Sequence, residues 1–208
     1  MLGVGRYMER QSCMRDFVYY TVLSVLGTLG VSCYILADTF FVSKGLGTNG
    51  LTALNLAIPI YNFIHGTGLM LGMGGATRFS VCKSQERMEE VNRVYTNTIY
   101  LALIFSVPFV LMGFFFSSQI TVLLGANENV LEMTNIYLRW LLLFAPAFIL
   151  NDVLLCFVRN DGSPQLSMAA MLIGSFSNII LDYMFIFPMK MGIFGAIFAT
   201  GLSPVISI

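Results

Sequence analysis

Residues 166–189 read LSMAAMLIGSFSNIILDYMFIFPM, twenty-four residues in which Asp182 is the sole charge. A helix of about 20 residues crosses a hydrocarbon core of roughly 30 Å. This stretch is therefore long enough to span a bilayer, and it carries a carboxylate into it. Four other stretches share its character. Residues 17–43 hold only Asp38, 51–77 and 94–126 hold no charge, and 133–158 hold Arg139 near the start and Asp152. A sixth apolar run starts near Met191 and is still apolar at Ile208. Prolines 59, 108 and 146 lie inside these runs, but membrane helices tolerate proline better than soluble ones do. The expectation is an all-α integral membrane fold, a single membrane domain over 1–208, with five complete spans and a sixth cut short.

Composition narrows the function classes. Of 208 residues, 57% are hydrophobic and 11% charged, against about 25% charged in a soluble domain. Disorder needs the opposite composition. Eleven Lys and Arg only balance eleven Asp and Glu, so no basic surface for nucleic acid is expected. Cys13, Cys33, Cys82 and Cys156 form no C-x-x-C pair, and His65 is the one histidine, so zinc and thiol redox chemistry lack their spacing. No G-x-S-x-G elbow or phosphate loop occurs, and an enzyme is not expected. Gly68, Gly72, Ala76 and Ser80 recur at four-residue spacing, which permits close helix contact.

Lys and Arg set the orientation. Arg6, Arg10, Arg15, Arg78, Lys83, Arg87, Arg93 and Arg159 fall on one side of the predicted spans, and only Lys44, Arg139 and Lys190 fall on the other. The richer side is read as cytoplasmic, with the N-terminus inside. The first apolar run is too long for a signal-peptide core of about 7–15 residues, so it is read as an uncleaved span. The 85–93 stretch reads as a short amphipathic connector helix.

An aspartate at the centre of a span costs about 2.5–3.5 kcal/mol on insertion scales. Asp38, Asp152 and Asp182 are therefore the first candidates for function. Asp38 lies about five residues, or roughly 8 Å, below the outer end of its span, and Asp182 sits at a similar depth in the fifth. Asn178 is one turn deeper on the face of Asp182, and Thr200 reaches the same depth in the sixth run. Two carboxylates, an amide oxygen and a hydroxyl suit a hard cation such as Na⁺. They also suit H⁺, since two nearby carboxylates in a dry site cannot both ionise cheaply. Asp152 lies nearer the cytoplasmic half and reads as structural. Tyr34, Asn62, His65 and Asp152 are candidate cavity-lining residues.

Three segments carry a resemblance. Residues 36–55 read LADTFFVSKGLGTNGLTALN, an aspartate before a glycine-rich turn. Residues 157–165 read FVRNDGSPQ. The third combines Asn178-x-x-x-Asp182 with the 191–200 stretch MGIFGAIFAT. Together they resemble the MATE (multidrug and toxic compound extrusion) transporters, most nearly the bacterial MepA/DinF-like type. The resemblance implies a twelve-helix antiporter of two six-helix lobes, of which this chain is the N-terminal lobe with its sixth helix truncated and the C-terminal lobe missing. It implies export of drugs and other organic cations or amphiphiles across a bacterial plasma membrane, coupled to Na⁺ or H⁺ and without a further cofactor. It places the coupling cation on Asp38, Asn178, Asp182 and Thr200. Where the family often has a proline early in helix one, this chain reads Tyr19-Tyr20-Thr21-Val22. Two other classes remain open: a lipid-linked precursor flippase, which needs a basic cavity for phosphates, and a non-transporting receptor or scaffold, which needs no paired buried acids.

Overall fold

The computed structural model describes residues 2–208, with side chains from Met14 onward. Helices account for almost all of it: α1 (Leu2–Ser84), α2 (Met88–Phe115), α3 (Ser117–Leu123), α4 (Leu131–Leu143), α5 (Ala145–Asn160), α6 (Pro164–Ile186) and α7 (Gly192–Ser207). Among the described residues there is no strand.

The long α1 is two helices. Tyr34 and Tyr61 would stand roughly 40 Å apart on one straight helix, yet their hydroxyls are 3.2 Å apart. The chain doubles back at Gly47, whose φ of 70° and ψ of −160° break the helix. Glycine takes that backbone without a Cβ penalty. The arms, 2–46 and 48–84, are the first two spans; α2 and α6 are also long and apolar enough to cross a membrane. α4 and α5 meet at 48° and are together long and apolar enough for one broken span, while α7 is a shorter apolar helix.

Two expectations change in detail. Residues 133–158 are not one helix: Pro146 occupies the first turn of α5, where its missing N–H is harmless. As the continuation of α4 its ring would strike the carbonyl one turn back. Pro59 and Pro108 stay inside continuous helices. The expected connector helix at 85–93 is a turn at 85–87, with Glu86 at φ 58°, followed by the first turns of α2.

The packing is inverted relative to a soluble protein. Leu36, Phe63 and Leu123 are 70% or more exposed, while Thr121, Thr134, Asn178 and Asp182 are fully buried. Apolar side chains on the outside and polar ones inside fit a lipid surround. The small-residue stripe of the second arm faces α5. A Cβ on Gly72 would lie 3.0 Å from the Val153 backbone and from the Cys156 sulfur, Ala76 is fully buried, and the Ser80 hydroxyl donates to the Asn160 carbonyl at 3.3 Å. Lys83 and Asp161 meet at 2.5 Å, which places the loops after the second and fourth spans on one side, as the charge pattern requires. Ser203 and Ser207 of α7 donate to the Gly174 and Ala170 carbonyls of α6 at 2.7 and 3.1 Å.

Gly72→Leu should force α5 off the second arm and destabilise by about 1–3 kcal/mol, the usual cost of overpacking. A lowered melting temperature of the purified full-length protein in detergent checks this. Gly66→Ala, where the added Cβ meets nothing within 4 Å, should leave it unchanged or raised.

Candidate functional site

Four helices converge on one polar cluster. Asp38, on the first arm nine residues before Gly47, is 7% exposed. Asn178 and Asp182, one turn apart on α6, are fully buried, and Thr200 of α7 is 6% exposed. The Asn178 amide donates to the Thr200 hydroxyl at 3.5 Å. That hydroxyl in turn donates to the Ala196 carbonyl at 3.0 Å, so Thr200 is oriented by its own helix. Asp38 and Asp182 are close enough to repel one another. Depth counting along the spans thus brings together the four residues that the structure brings together.

The cluster has acceptors and too few donors. Asp38 Oδ1, Asn178 Oδ1 and both Asp182 carboxylate oxygens are buried without a hydrogen-bond partner. A buried carboxylate left unpaired costs several kcal/mol. The arrangement therefore invites a positive charge, either protons on the carboxyls or a small cation that takes oxygen ligands. The donor set, two carboxylates with an amide oxygen and a hydroxyl beside them, fits a hard cation that prefers oxygen ligands.

Sequence reasoning missed Tyr137. It lies on α4, is 6% exposed, and its hydroxyl is directed at Thr200 with Asp38 and Asp182 nearby. Within its own apolar run a single tyrosine carries no signal. Only the bend between α4 and α5 fixes where it points.

Beside the cluster lies a cavity of about 90 Å³, lined by Tyr34, Tyr61, His65, Phe148, Asp152 and Thr200 among others. Three of the four residues expected to line a cavity, Tyr34, His65 and Asp152, do so together. Asn62 does not. It is exposed and faces a separate groove toward α2, with Phe63, Gly66 and Pro108. One residue is 100° of helix rotation, and that step carries Asn62 away from the face of Tyr61 and His65. Asp152, read as structural, meets His65 across 2.7 Å, Nδ1 to Oδ2. Gly68, one turn beyond His65, makes the room: a Cβ there would sit 2.7 Å from the same carboxylate oxygen.

Comparison with known proteins gives concordant results. The MatE family profile matches residues 24–184. The multidrug export protein MepA of Staphylococcus saprophyticus is 32% identical over 201 residues, 97% of this chain and 45% of that protein. The outward-facing conformation of a multidrug resistance MATE family transporter of the MOP superfamily superposes with a TM-score of 0.84 at 30% identity, over 91% of this chain and 42% of that one. An inward-facing conformation of such a transporter gives 0.78 at 32% identity, over 84% and 39%. The chain thus spans less than half the length of the relatives it matches.

If the two carboxylates are held apart from any protein partner, neutralising one relieves repulsion. Asp38→Asn and Asp182→Asn should each preserve or raise the melting temperature of the full-length protein in cation-free buffer. A fall of several degrees in both would show that the carboxylates hold the helices together instead.

Proposed function

The chain belongs to the MatE family, and from that premise we propose that it forms the N-terminal six-helix lobe of a twelve-helix antiporter. The whole transporter exports drugs and other organic cations or amphiphiles across a bacterial plasma membrane, in exchange for Na⁺ or H⁺. The 1–208 stretch acts as one membrane domain with its N-terminus in the cytoplasm, and its protein partner is the C-terminal lobe. The observation that carries this reading is the set of unpartnered buried oxygens on Asp38, Asn178 and Asp182.

The physical logic is exchange at a site that is unstable when empty. Without a cation, Asp38 on the first arm and Asp182 on α6 repel across the helix interface. With one bound, the first arm, α6 and α7 are drawn onto a common charge through Asp38, Asp182, Asn178 and Thr200. Occupied and empty states therefore favour different helix packings, and a ligand shifts a conformational equilibrium only by its differential affinity for the two. Exchange of one such cation for one organic monocation moves no net charge, so the coupling ion's concentration gradient drives it; each net charge carried through 100 mV would add about 2.3 kcal/mol, roughly a fifty-fold gradient. The lining near the cluster favours organic cations over lipid-linked phosphates, since Asp152 is carboxylate and His65 is the one basic side chain on that wall.

In the full-length transporter, Asp38→Asn and Asp182→Asn should each abolish ethidium efflux driven by an imposed Na⁺ or pH gradient, at normal expression. Asn178→Ala should lose less, because it removes a neutral ligand, and Thr200→Ala less again. Wild-type efflux in both aspartate variants would refute the coupling site.

A further inference from the structure

The coupling cluster does not use the second ionisable pair in the membrane, His65 and Asp152. The two residues are 87 positions apart, on the second arm and α5, and meet at 2.7 Å. Their exposures differ sharply: the Asp152 side chain is 8% exposed and that of His65 is 44%. The carboxylate is thus nearly enclosed, while the imidazole stands at the cavity. Nδ1 faces Asp152, which leaves Nε2 as the nitrogen free to exchange a proton.

The walls around the pair are aromatic. The Tyr61 ring stacks parallel to His65, 7° between planes and 6.0 Å between centroids. Phe148 stands edge-on to Tyr61 at 5.7 Å, and the Tyr34 hydroxyl is bonded to that of Tyr61. Aromatic faces next to a carboxylate attract organic cations, which are large and weakly hydrated. The other groups facing the pair are few. Cys156 lies one turn beyond Asp152 on α5, and Arg159 two turns beyond, directed at Met171. α6 and α7 present only neutral groups to the cavity, among them Ser175, Thr200, Ser203 and Ser207.

We propose that Asp152 is the counter-charge for an organic cation in this lobe, and that His65 is its built-in competitor, so that binding of one organic cation releases one proton from the pair. With His65 protonated, the pair is neutral and the carboxylate is taken. When Nε2 gives its proton to water, neutral His65 still faces Asp152 through Nδ1, but Asp152 now carries an unbalanced negative charge. An organic cation then enters against Asp152 and the Tyr61 and Phe148 faces. Charge balances: a protonated histidine–carboxylate pair plus one organic cation gives the cation–carboxylate pair, neutral histidine and one free proton. This inference rests on the organic-cation reading of the transporter and adds a site separate from the Asp38–Asp182 cluster.

The test uses the purified full-length transporter and tetraphenylphosphonium, a probe with a permanent charge and no proton of its own. Its affinity for the wild type should weaken by about tenfold per pH unit below the histidine titration, the slope of one linked proton. His65→Gln should keep the binding and lose the slope and the proton release. Asp152→Asn should bind at least tenfold more weakly. A direct signature needs no variant beyond assignment: the ¹⁵N-histidine resonance that disappears in His65→Gln should shift toward neutral imidazole when the probe is added at low pH. A His65 resonance that the probe does not move, or Asp152→Asn binding at wild-type affinity, overturns the proposal. If the slope survives in His65→Gln and vanishes in Asp38→Asn, the proton belongs to the coupling cluster, and this proposal fails while the antiport reading stands. A wild type that does not bind the probe at any pH defeats both.

Discussion

Hydrocarbon offers no hydrogen bonds, so each backbone N–H and C=O inside it must be answered by the chain itself. Nearly everything in this fold follows from that constraint. The spans are helical, and the helix is interrupted at depth only where other protein covers the gap. The bend between α4 and α5 is the clearest case. The Phe144 amide closes the end of α4 onto the Trp140 carbonyl at 3.0 Å, and the Phe144 ring lies against Gly201 of α7. The break is thus plugged from the neighbouring helix instead of facing lipid.

The same constraint makes the polar interior informative. Side-chain hydroxyls satisfy themselves on their own helix, as Thr98, Thr121 and Ser175 do with carbonyls one turn back, or bond across to a neighbour, as Ser203 and Ser207 do. Asp38 Oδ1 and the Asp182 oxygens do neither. In an interior where most small polar groups are answered locally, a concentration of unanswered acceptors on two adjacent helices, the first arm and α6, marks where a positive charge would be held. Asp152 is the contrasting case, because an ionisable side chain of the protein itself, His65, stands 2.7 Å from its Oδ2.

What could be read from the sequence divides along one geometric line. Depth is linear in residue number along a straight helix, so Asp38, Asn178, Asp182 and Thr200 could be matched from their distances to the span ends. Azimuth is not, because each residue turns the helix by 100° and the rotation of one helix against another is set by packing. That is why Asn62 reads in the sequence as a neighbour of His65 although it faces α2, and why the contact between His65 and Asp152 is not legible there. Tyr137 depended on a third quantity, the angle at Phe144. Pro146 was visible, but Pro59 and Pro108 show that proline alone does not decide whether a membrane helix breaks.

The hairpin at Gly47 has a mechanical side. Tyr34 lies 13 residues before it and Tyr61 lies 14 after it, so the two hydroxyls stand at the ends of matched levers about 20 Å long. Splaying the arms by about 10° about the glycine would part those ends by roughly 3–4 Å, at 1.5 Å of lever per residue. That doubles the 3.2 Å separation of the tyrosine pair and breaks it. The latch is thus sensitive to an angular change too small to disturb the helices themselves, and it sits where the polar cluster and the cavity adjoin. Gly47 is the position inside α1 where the backbone leaves the helix, and the leverage at the tyrosines is set by how far the chain places them from it.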